Sequence, residues 1–239
     1  MIDIHAHILP AIDDGPETLS ESLQMVRVAV EDGIHTIIAT PHCLNGVYFN
    51  RRQDILSACA EFNRALREHQ ISLTVLPGSE ARLGPEVMGE IENSHLMTLN
   101  DTGRYISLEL PDQFIPQATA SFVNLLKDRN ITPVMSHPER NLAVQRNLSL
   151  LGDLVSAGAL CQVTAGSLIG DFGQNIAKCC RKIIELNIAH FIASDAHSPA
   201  ARPPILSKAS EKLASLIGKT RAHQIMSEHP QALIEGHRI

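Results

Sequence analysis

Tryptophan is absent from this sequence, and the other aromatics amount to two tyrosines and six phenylalanines. A chain so poor in rings is badly equipped to stack the bases of single-stranded nucleic acid. Positive charge is not in excess either: 20 lysines and arginines face 26 aspartates and glutamates, for a formal net charge of -6. A broad cationic face for a phosphate backbone is therefore not expected, and neither is a nucleic-acid partner. No apolar run approaches the roughly 18 residues that would suggest a membrane span. The opening Met1-Ile2-Asp3-Ile4-His5 has neither a basic start nor an apolar segment, so no leader is expected.

The five cysteines are odd in number and scattered, with only Cys179 and Cys180 adjacent. That pattern fits reduced, buried thiols in a cytoplasmic protein better than a disulfide framework. A cysteine-dependent phosphatase needs a thiol and an arginine at the two ends of a short phosphate-binding loop. No cysteine here has an arginine six positions later, and Cys59 and Arg64, five apart, share a helical stretch. Cys179-Cys180-Arg181 also falls on a helical stretch. No glycine-rich loop with a lysine follows the first strand, which argues against an NTP-driven motor.

What remains is an ordinary globular composition, 44% hydrophobic and 19% charged over 239 residues. No linker or low-complexity stretch interrupts it, so a single domain over 1–239 is expected. Apolar, β-branched runs alternate with amphipathic stretches. Strands are expected at Met1–His5, His35–Thr40, Ile71–Pro77, Tyr105–Leu110, Thr132–Ser136, Ala159–Thr164 and Ala189–Ser194. Helices are expected between them, the first with Leu19, Leu23, Val26 and Val30 on one face, the second with Ile55, Cys59, Phe62 and Leu66. Leu206–Ile217 and Thr220–Glu228 close the chain as two more helices. Strands alternating with helices imply a parallel sheet, because each crossover returns the chain to the same end. The seven units suggest an α/β barrel, with an open doubly wound sheet as the alternative.

The residues at the strand ends carry the chemistry. His5-Ala6-His7, Thr40-Pro41-His42, Gly78-Ser79-Glu80, Ser136-His137-Pro138-Glu139-Arg140 and Ser194-Asp195-Ala196-His197 each end a predicted strand, and the fourth strand carries Glu109. In an α/β barrel these ends meet at one mouth. Taken singly, each has an ordinary explanation: a hydrogen-bonded loop histidine, an ion-paired glutamate. Together they place His5, His7, His42, His137, His197, Glu80, Glu109 and Asp195 in one spot, where without a cation they would desolvate and repel one another. A single ion uses about three or four protein ligands, so this many donors implies two or three divalent ions. Imidazole plus carboxylate, with no thiolate, suits manganese, iron or zinc.

The ordered set Asp3–Pro16 (DIHAHILPAIDDGP), Thr40-Pro41-His42, Gly78-Ser79-Glu80, Ser136–Arg140 and Ser194–His197 resembles the polymerase and histidinol phosphatase (PHP) superfamily. More narrowly, it is similar to the manganese-dependent protein-tyrosine phosphatases of bacterial capsule and exopolysaccharide operons. The resemblance implies a distorted seven-stranded β/α barrel with its metal site at the C-terminal strand ends. It implies that His5, His7, Glu80 and Asp195 hold a first metal, and that Glu80 bridges to a second held with Glu109 and His137. It implies that His42 and His197 hold a third with a carboxylate from the Asp13-Asp14-Gly15 turn. Asp14, directly before the glycine, is favoured, with Asp13 and Glu17 as the alternatives. Manganese is the expected metal.

The expected activity is hydrolysis of phosphate monoesters by metal-activated water. Arg140 and Arg202 are the candidate phosphate-binding residues, since a guanidinium fork matches phosphoryl oxygens. Tyr48 and Phe49 either wall the pocket or pack their loop. His35, His69, His95, His190, His223, His229 and His237 are read as structural or surface residues. The substrate implied is a phosphotyrosine protein, such as an autophosphorylated bacterial tyrosine kinase that controls polysaccharide export. The competing readings are another PHP phosphoesterase (a histidinol-phosphate phosphatase or a nuclease) and a non-catalytic metal-binding regulator.

Overall fold

A computed structural model describes residues 1–239. Nine strands run through it: β1 (Ile2–Ala6), β2 (Thr36–Ala39), β3 (His42–Cys43), β4 (Thr74–Pro77), β5 (Glu80–Arg82), β6 (Tyr105–Glu109), β7 (Thr132–Ser136), β8 (Leu160–Thr164) and β9 (Phe191–Ala193). The helices are α1 (Leu19–Glu31), α2 (Arg52–Glu68), α3 (Val87–Glu92), α4 (Thr119–Asp128), α5 (Leu142–Arg146) and α6 (Ser149–Ala157), then α7 (Ala165–Ile169), α8 (Gln174–Glu185), α9 (Ser207–Ile217), α10 (Lys219–His223) and α11 (His229–Ile234). Every strand pairing is parallel, as the alternation requires.

The seven expected strands are not one closed sheet. Hydrogen bonding divides the strands into a three-stranded sheet, β1-β2-β4, and a six-stranded sheet, β3-β5-β6-β7-β8-β9. The division arises where two short strands outside the expected set, β3 and β5, follow just beyond the expected ends at Thr40 and Pro77. Between β2 and β3, Pro41 has no N–H to continue a ladder. Between β4 and β5, Gly78 passes so close to β2 that a Cβ would lie 2.6 Å from Ile38 Cγ2 and 3.1 Å from the Ala39 carbonyl. β2 and β4 join β1, while β3 and β5 join β6 and its neighbours.

Side chains two apart along a strand share a face, and this periodicity sets one face in layers. Tyr105, Val134, Leu160, Phe191 and Ala193 join Ile2, Ile4, Ile38 and Leu233 in a buried apolar cluster. Two residues further along the same face come Ser107, Ser136 and Gln162, and the Ser107 and Ser136 hydroxyls bond at 2.6 Å. One more step reaches Glu109 and Thr164. The opposite face packs against the helices in a core of 51 buried residues. In β1 the pairing with β2 slips by one residue between Asp3 and Ala6. Such a bulge reverses the phase of the strand, so that Ile4 joins the apolar cluster while His5 and His7 reach the polar end.

The helices follow the predicted pattern with one rotation. α2 buries Ile55, Cys59, Phe62 and Leu66, the expected stripe. α1 buries Leu23, Met25, Val26 and Ala29, while Leu19 and Val30 are 43% and 38% exposed. A capping box fixes the start of α1: the Thr18 hydroxyl accepts from the Glu21 amide and Glu21 accepts from the Thr18 amide. Leu19 therefore falls on the solvent side of the first turn. The expected helix Thr220–Glu228 divides into α10 and a wider helical turn at Gln224–Glu228.

At the strand starts, His190 is built to stay neutral. Its Nδ1 accepts a bond from the Cys161 amide at 3.1 Å, a role only an unprotonated ring nitrogen can fill. Burial, with His229 and Arg221 nearby, lowers its pKa from 6.5 to about 4. The unfolded chain takes up this proton first, so stability falls as pH drops from about 6.5 towards 4. His190→Asn, which keeps an acceptor for the amide, is expected to remove that share of the acid sensitivity. Urea midpoints at pH 7.5 and pH 5 compare the two proteins, and identical losses in both would refute the assignment.

Candidate metal centre

The polar end of the layered face collects every residue expected there. His5 Nε2 lies 3.3 Å from His7 Nε2, 3.5 Å from Glu80 Oε2 and 3.4 Å from Asp195 Oδ1. His7 Nε2 is 3.6 Å from those same two carboxylate oxygens. His137 Nε2 is 2.9 Å from Glu80 Oε1 and 4.0 Å from Glu109 Oε1. His42 reaches Glu80 Oε2 through Nδ1 at 3.2 Å and Asp14 Oδ1 through Nε2 at 3.5 Å. His197 Nε2 lies 3.4 Å from the same Asp14 oxygen. Four overlapping groups have ligand atoms within 4.8 Å of one another: His7–Asp14–His42–His197, His5–His7–Glu80, His5–His137–Asp195 and His42–Glu80–Glu109.

The backbone aims these side chains deliberately. His137 and Asp195 both adopt left-handed conformations, with φ of 34° and 53°. Such conformations are uncommon outside glycine and concentrate at functional sites. Asp195 and His7 are locked into the loop pairing after β9, where Asp195 N donates to His5 O at 2.9 Å and His7 N to Ala196 O at 2.8 Å.

An outer layer orients the rings, and it contains residues that strand-end spacing did not single out. Asp13, with a fully buried side chain, accepts from His7 Nδ1 at 2.6 Å and from the amides of His42 and Gly15 at 3.0 Å. Gln162 Oε1 accepts from His5 Nδ1 at 2.8 Å. The Asp195 carbonyl accepts from His197 Nδ1 at 3.0 Å. Each bond fixes a tautomer and leaves the other nitrogen facing the site. Gly15 is obligatory in this turn, since a Cβ would lie 2.8 Å from the His7 carbonyl. Asp14, half-exposed, faces His42 and His197, and Glu17 sits exposed at the start of α1, outside the cluster.

Electrostatics keep the acids ionised. Burial alone would raise Glu80, but His5 and His137 outweigh it and hold the carboxyl well below its usual range. Burial likewise opposes ionisation of Asp195, and His5 and Arg140 reverse it. Bonding to His197 lowers Asp14 to about 2. Burial disfavours a charged His7, yet Asp13 and Glu80 raise its pKa well above the ordinary imidazole value. Even so, Glu80 Oε2 and His42 Nδ1, although 3.2 Å apart, are buried without hydrogen-bond geometry to each other or to any other group. Orphaned lone pairs of this kind are costly, and a divalent cation would satisfy them. The donor set fits such ions.

Both candidate arginines lie at the site. Arg140 and Arg202 each donate to Asp195 Oδ2, Arg202 at 2.6 Å, and Arg140 also donates to Thr164 Oγ1 at 2.8 Å. Both guanidinium groups sit on one aromatic ring, with Arg140 Cζ 4.4 Å and Arg202 Cζ 5.7 Å from the Phe172 centroid. Tyr48 stacks nearly parallel to the His42 ring at 6.2 Å, whereas Phe49 is 64% exposed. The thiols play no part: all five are buried and unbonded to one another, and burial raises Cys43 and Cys59 to about 12 and Cys179 to about 11.

Comparison with known proteins supplies the context for this geometry. A family model for capsular polysaccharide synthesis, CpsB/CapC, matches residues 1–235. The chain is 44% identical over 202 residues to the tyrosine-protein phosphatase YwqE of Bacillus subtilis (strain 168), covering 84% of this chain and 79% of that protein. It is 29% identical over 249 residues to the tyrosine-protein phosphatase CpsB of Streptococcus agalactiae serotype V (strain ATCC BAA-611 / 2603 V/R), covering all of both. A crystal structure from work on YwqE of Bacillus subtilis and CpsB of Streptococcus pneumoniae, described as metal-dependent tyrosine phosphatases, superposes with a TM-score of 0.96 at 40% identity, covering 100% of this chain and 96% of that one.

If the orphaned oxygen of Glu80 awaits a cation, divalent metal must stabilise the fold by mass action. A hundredfold excess over Kd is worth about 2.7 kcal/mol, or about 5–10 °C in Tm for a chain of this size. Thermal melts of the EDTA-stripped protein with and without Mn2+ are expected to show that rise, and Glu80→Gln to lose most of it. A wild-type Tm indifferent to metal would contradict the reading.

Proposed function

The chain belongs to the capsular polysaccharide synthesis family CpsB/CapC, and we infer that it is a metal-dependent tyrosine-protein phosphatase of capsule synthesis that works through the cluster at the strand ends. The observation that carries this reading is the convergence of imidazoles and carboxylates on Glu80, whose Oε2 is buried without a partner. His5, His7, Glu80 and Asp195 would hold a first ion, Glu80, Glu109 and His137 a second, and His42, His197 and Asp14 a third, with His7 within reach. The groups His5–His7–Glu80 and His7–Asp14–His42–His197 support the first and third of these sets, and the approach of His137 to Glu80 and Glu109 supports the second. Manganese is the preferred ion.

Such ions supply an acidified water as nucleophile and neutralise charge on the phosphoryl oxygens. The chain's own residues do the rest. Asp13 and Gln162 hold His7 and His5 in the tautomers that present Nε2 to the site. Arg140 and Arg202 bind and orient the phosphoryl oxygens, supported by their convergence on one oxygen of Asp195. Phe172 keeps both guanidinium planes in place beneath the mouth. The thiols, pushed upward by burial, stay protonated.

The recess beside Glu109, His137 and Arg140 is about 100 Å3, well below the ~300 Å3 at which pockets begin to enclose a whole small molecule. It suits a phosphoryl group whose carrier stays outside, as a protein-borne phosphotyrosine does. An autophosphorylated tyrosine kinase of the cytoplasm is the substrate this suggests. The backbone bonds that tie β1 to the loop after β9 also support treating the two sheets as one interrupted seven-unit barrel with the site at its mouth.

Purified protein with Mn2+ is expected to hydrolyse para-nitrophenyl phosphate and phosphotyrosine peptides. His137→Ala should cost at least about 10²-fold, on the scale of losing a catalytic group. Replacing each cysteine singly by alanine should change the rate by no more than about twofold, because a buried neutral thiol is not a nucleophile. No turnover with any divalent metal would overturn the assignment. Phe172→Leu should raise KM about tenfold with a smaller effect on kcat, given about 0.5–2 kcal/mol for each cation–π contact. Phe172→Tyr should restore it, and a loss of kcat alone would count against the positioning role.

A further inference from the structure

We propose that a basic groove between α5 and α8 binds acidic side chains flanking the phosphotyrosine of the protein substrate, a reading that rests on the phosphatase function above. The groove, about 310 Å3, is lined by Arg146, Lys178 and Lys182, by the amides of Gln145 and Asn175, and floored by Cys179. No acidic residue lines it, although acids outnumber bases in the chain by 26 to 20. All three cations are exposed. None has an ion-pair partner, and what sets the three apart is that they line one groove with no acid among them.

Arg146 and Lys182 suit the C-terminal dipoles of α5 and α8, but helix capping does not require the cations to be clustered. Lys178 and Lys182 are one helical turn apart on α8, where like charges repel. Asn175, one turn earlier, falls on the same face. The groove is tied to the turn that carries Arg140. Gln145 donates through Nε2 to the main-chain carbonyls of Glu139 at 3.0 Å and Arg140 at 3.1 Å. A polypeptide with its phosphate at Arg140 that leaves the mouth over α5 meets the three cations. A row of unpaired cations with adjacent amide donors recognises carboxylates, so the matching partner is an acidic segment of the substrate.

The test compares two synthetic phosphotyrosine peptides of equal length, one with aspartate and glutamate flanking the phosphotyrosine and one with serine and glycine. Para-nitrophenyl phosphate serves as a reference that cannot reach the groove. Wild-type protein with Mn2+ is expected to favour the acidic peptide by tenfold or more in kcat/KM, mainly through KM, and the preference should shrink as salt rises. The variant R146E/K178E/K182E should abolish or reverse the preference while leaving the para-nitrophenyl phosphate rate unchanged, and the alanine variant R146A/K178A/K182A should lie between. Equal turnover of the two peptides by wild type, or a preference that survives charge reversal, overturns the groove proposal alone. No turnover of any substrate overturns the phosphatase reading and the groove with it. An unchanged peptide preference with lost binding to phosphatidylserine vesicles overturns it in favour of a membrane occupant.

Discussion

Buried charge of one kind must be answered by charge of the other, and this constraint governs one whole end of the molecule. The Glu80 carboxylate is 1% exposed and lies among His5, His7, His42 and His137, with Asp195 3.4 Å from His5 on the far side. Hydrogen bonds among these groups leave Glu80 Oε2 and His42 Nδ1 unmatched. In a protein interior that deficit is large unless a cation completes it. The same cluster offers little to stability without one, which makes it intelligible only as a binding site.

The rest of the fold can be understood as the means of sustaining this arrangement. The strands carry apolar residues at their starts, hydroxyl and amide groups in the middle and ligand-type residues at their ends. The apolar layer, closed from below by Leu233 of α11, lets the hydrophobic effect hold the strands together before any charged group is reached. The bulge in β1 turns His5 and His7 inward, and left-handed turns at His137 and Asp195 do the same for β7 and β9. Local irregularity thus sits at the site and regular pairing away from it.

Much of this was legible from strand ends alone. His5, His7, His42, Glu80, Glu109, His137, Asp195 and His197 each follow an apolar run, and parallel strands must end together. The breaks in the sheet were not legible. Pro41 and Gly78 read as ordinary strand terminators, and only the close approach of Gly78 to Ile38 explains why each strand resumes in a different sheet. The outer layer was hidden for another reason. Gln162 and Phe172 act through partners distant in sequence and Asp13 through a turn that folds back on His7, and a single buried polar or aromatic residue carries no periodic signal. The adjacent pair Asp13 and Asp14 shows the limit well: the turn places one side chain behind His7 and the other in front of His42, a division that spacing cannot reveal. The buried stripe of α1 was misplaced because the capping box at Thr18 sets the phase of the helix.

The central claim is that the acid–imidazole cluster exists to hold divalent cations, and the most direct measurement is metal content. Elemental analysis of protein reconstituted with Mn2+ and freed of loose ions by gel filtration is expected to give two or three ions per chain, the range set by about three or four ligands per ion, and distinctly fewer for the variant Glu80→Gln. Wild-type protein that retains no metal after this treatment would contradict the account.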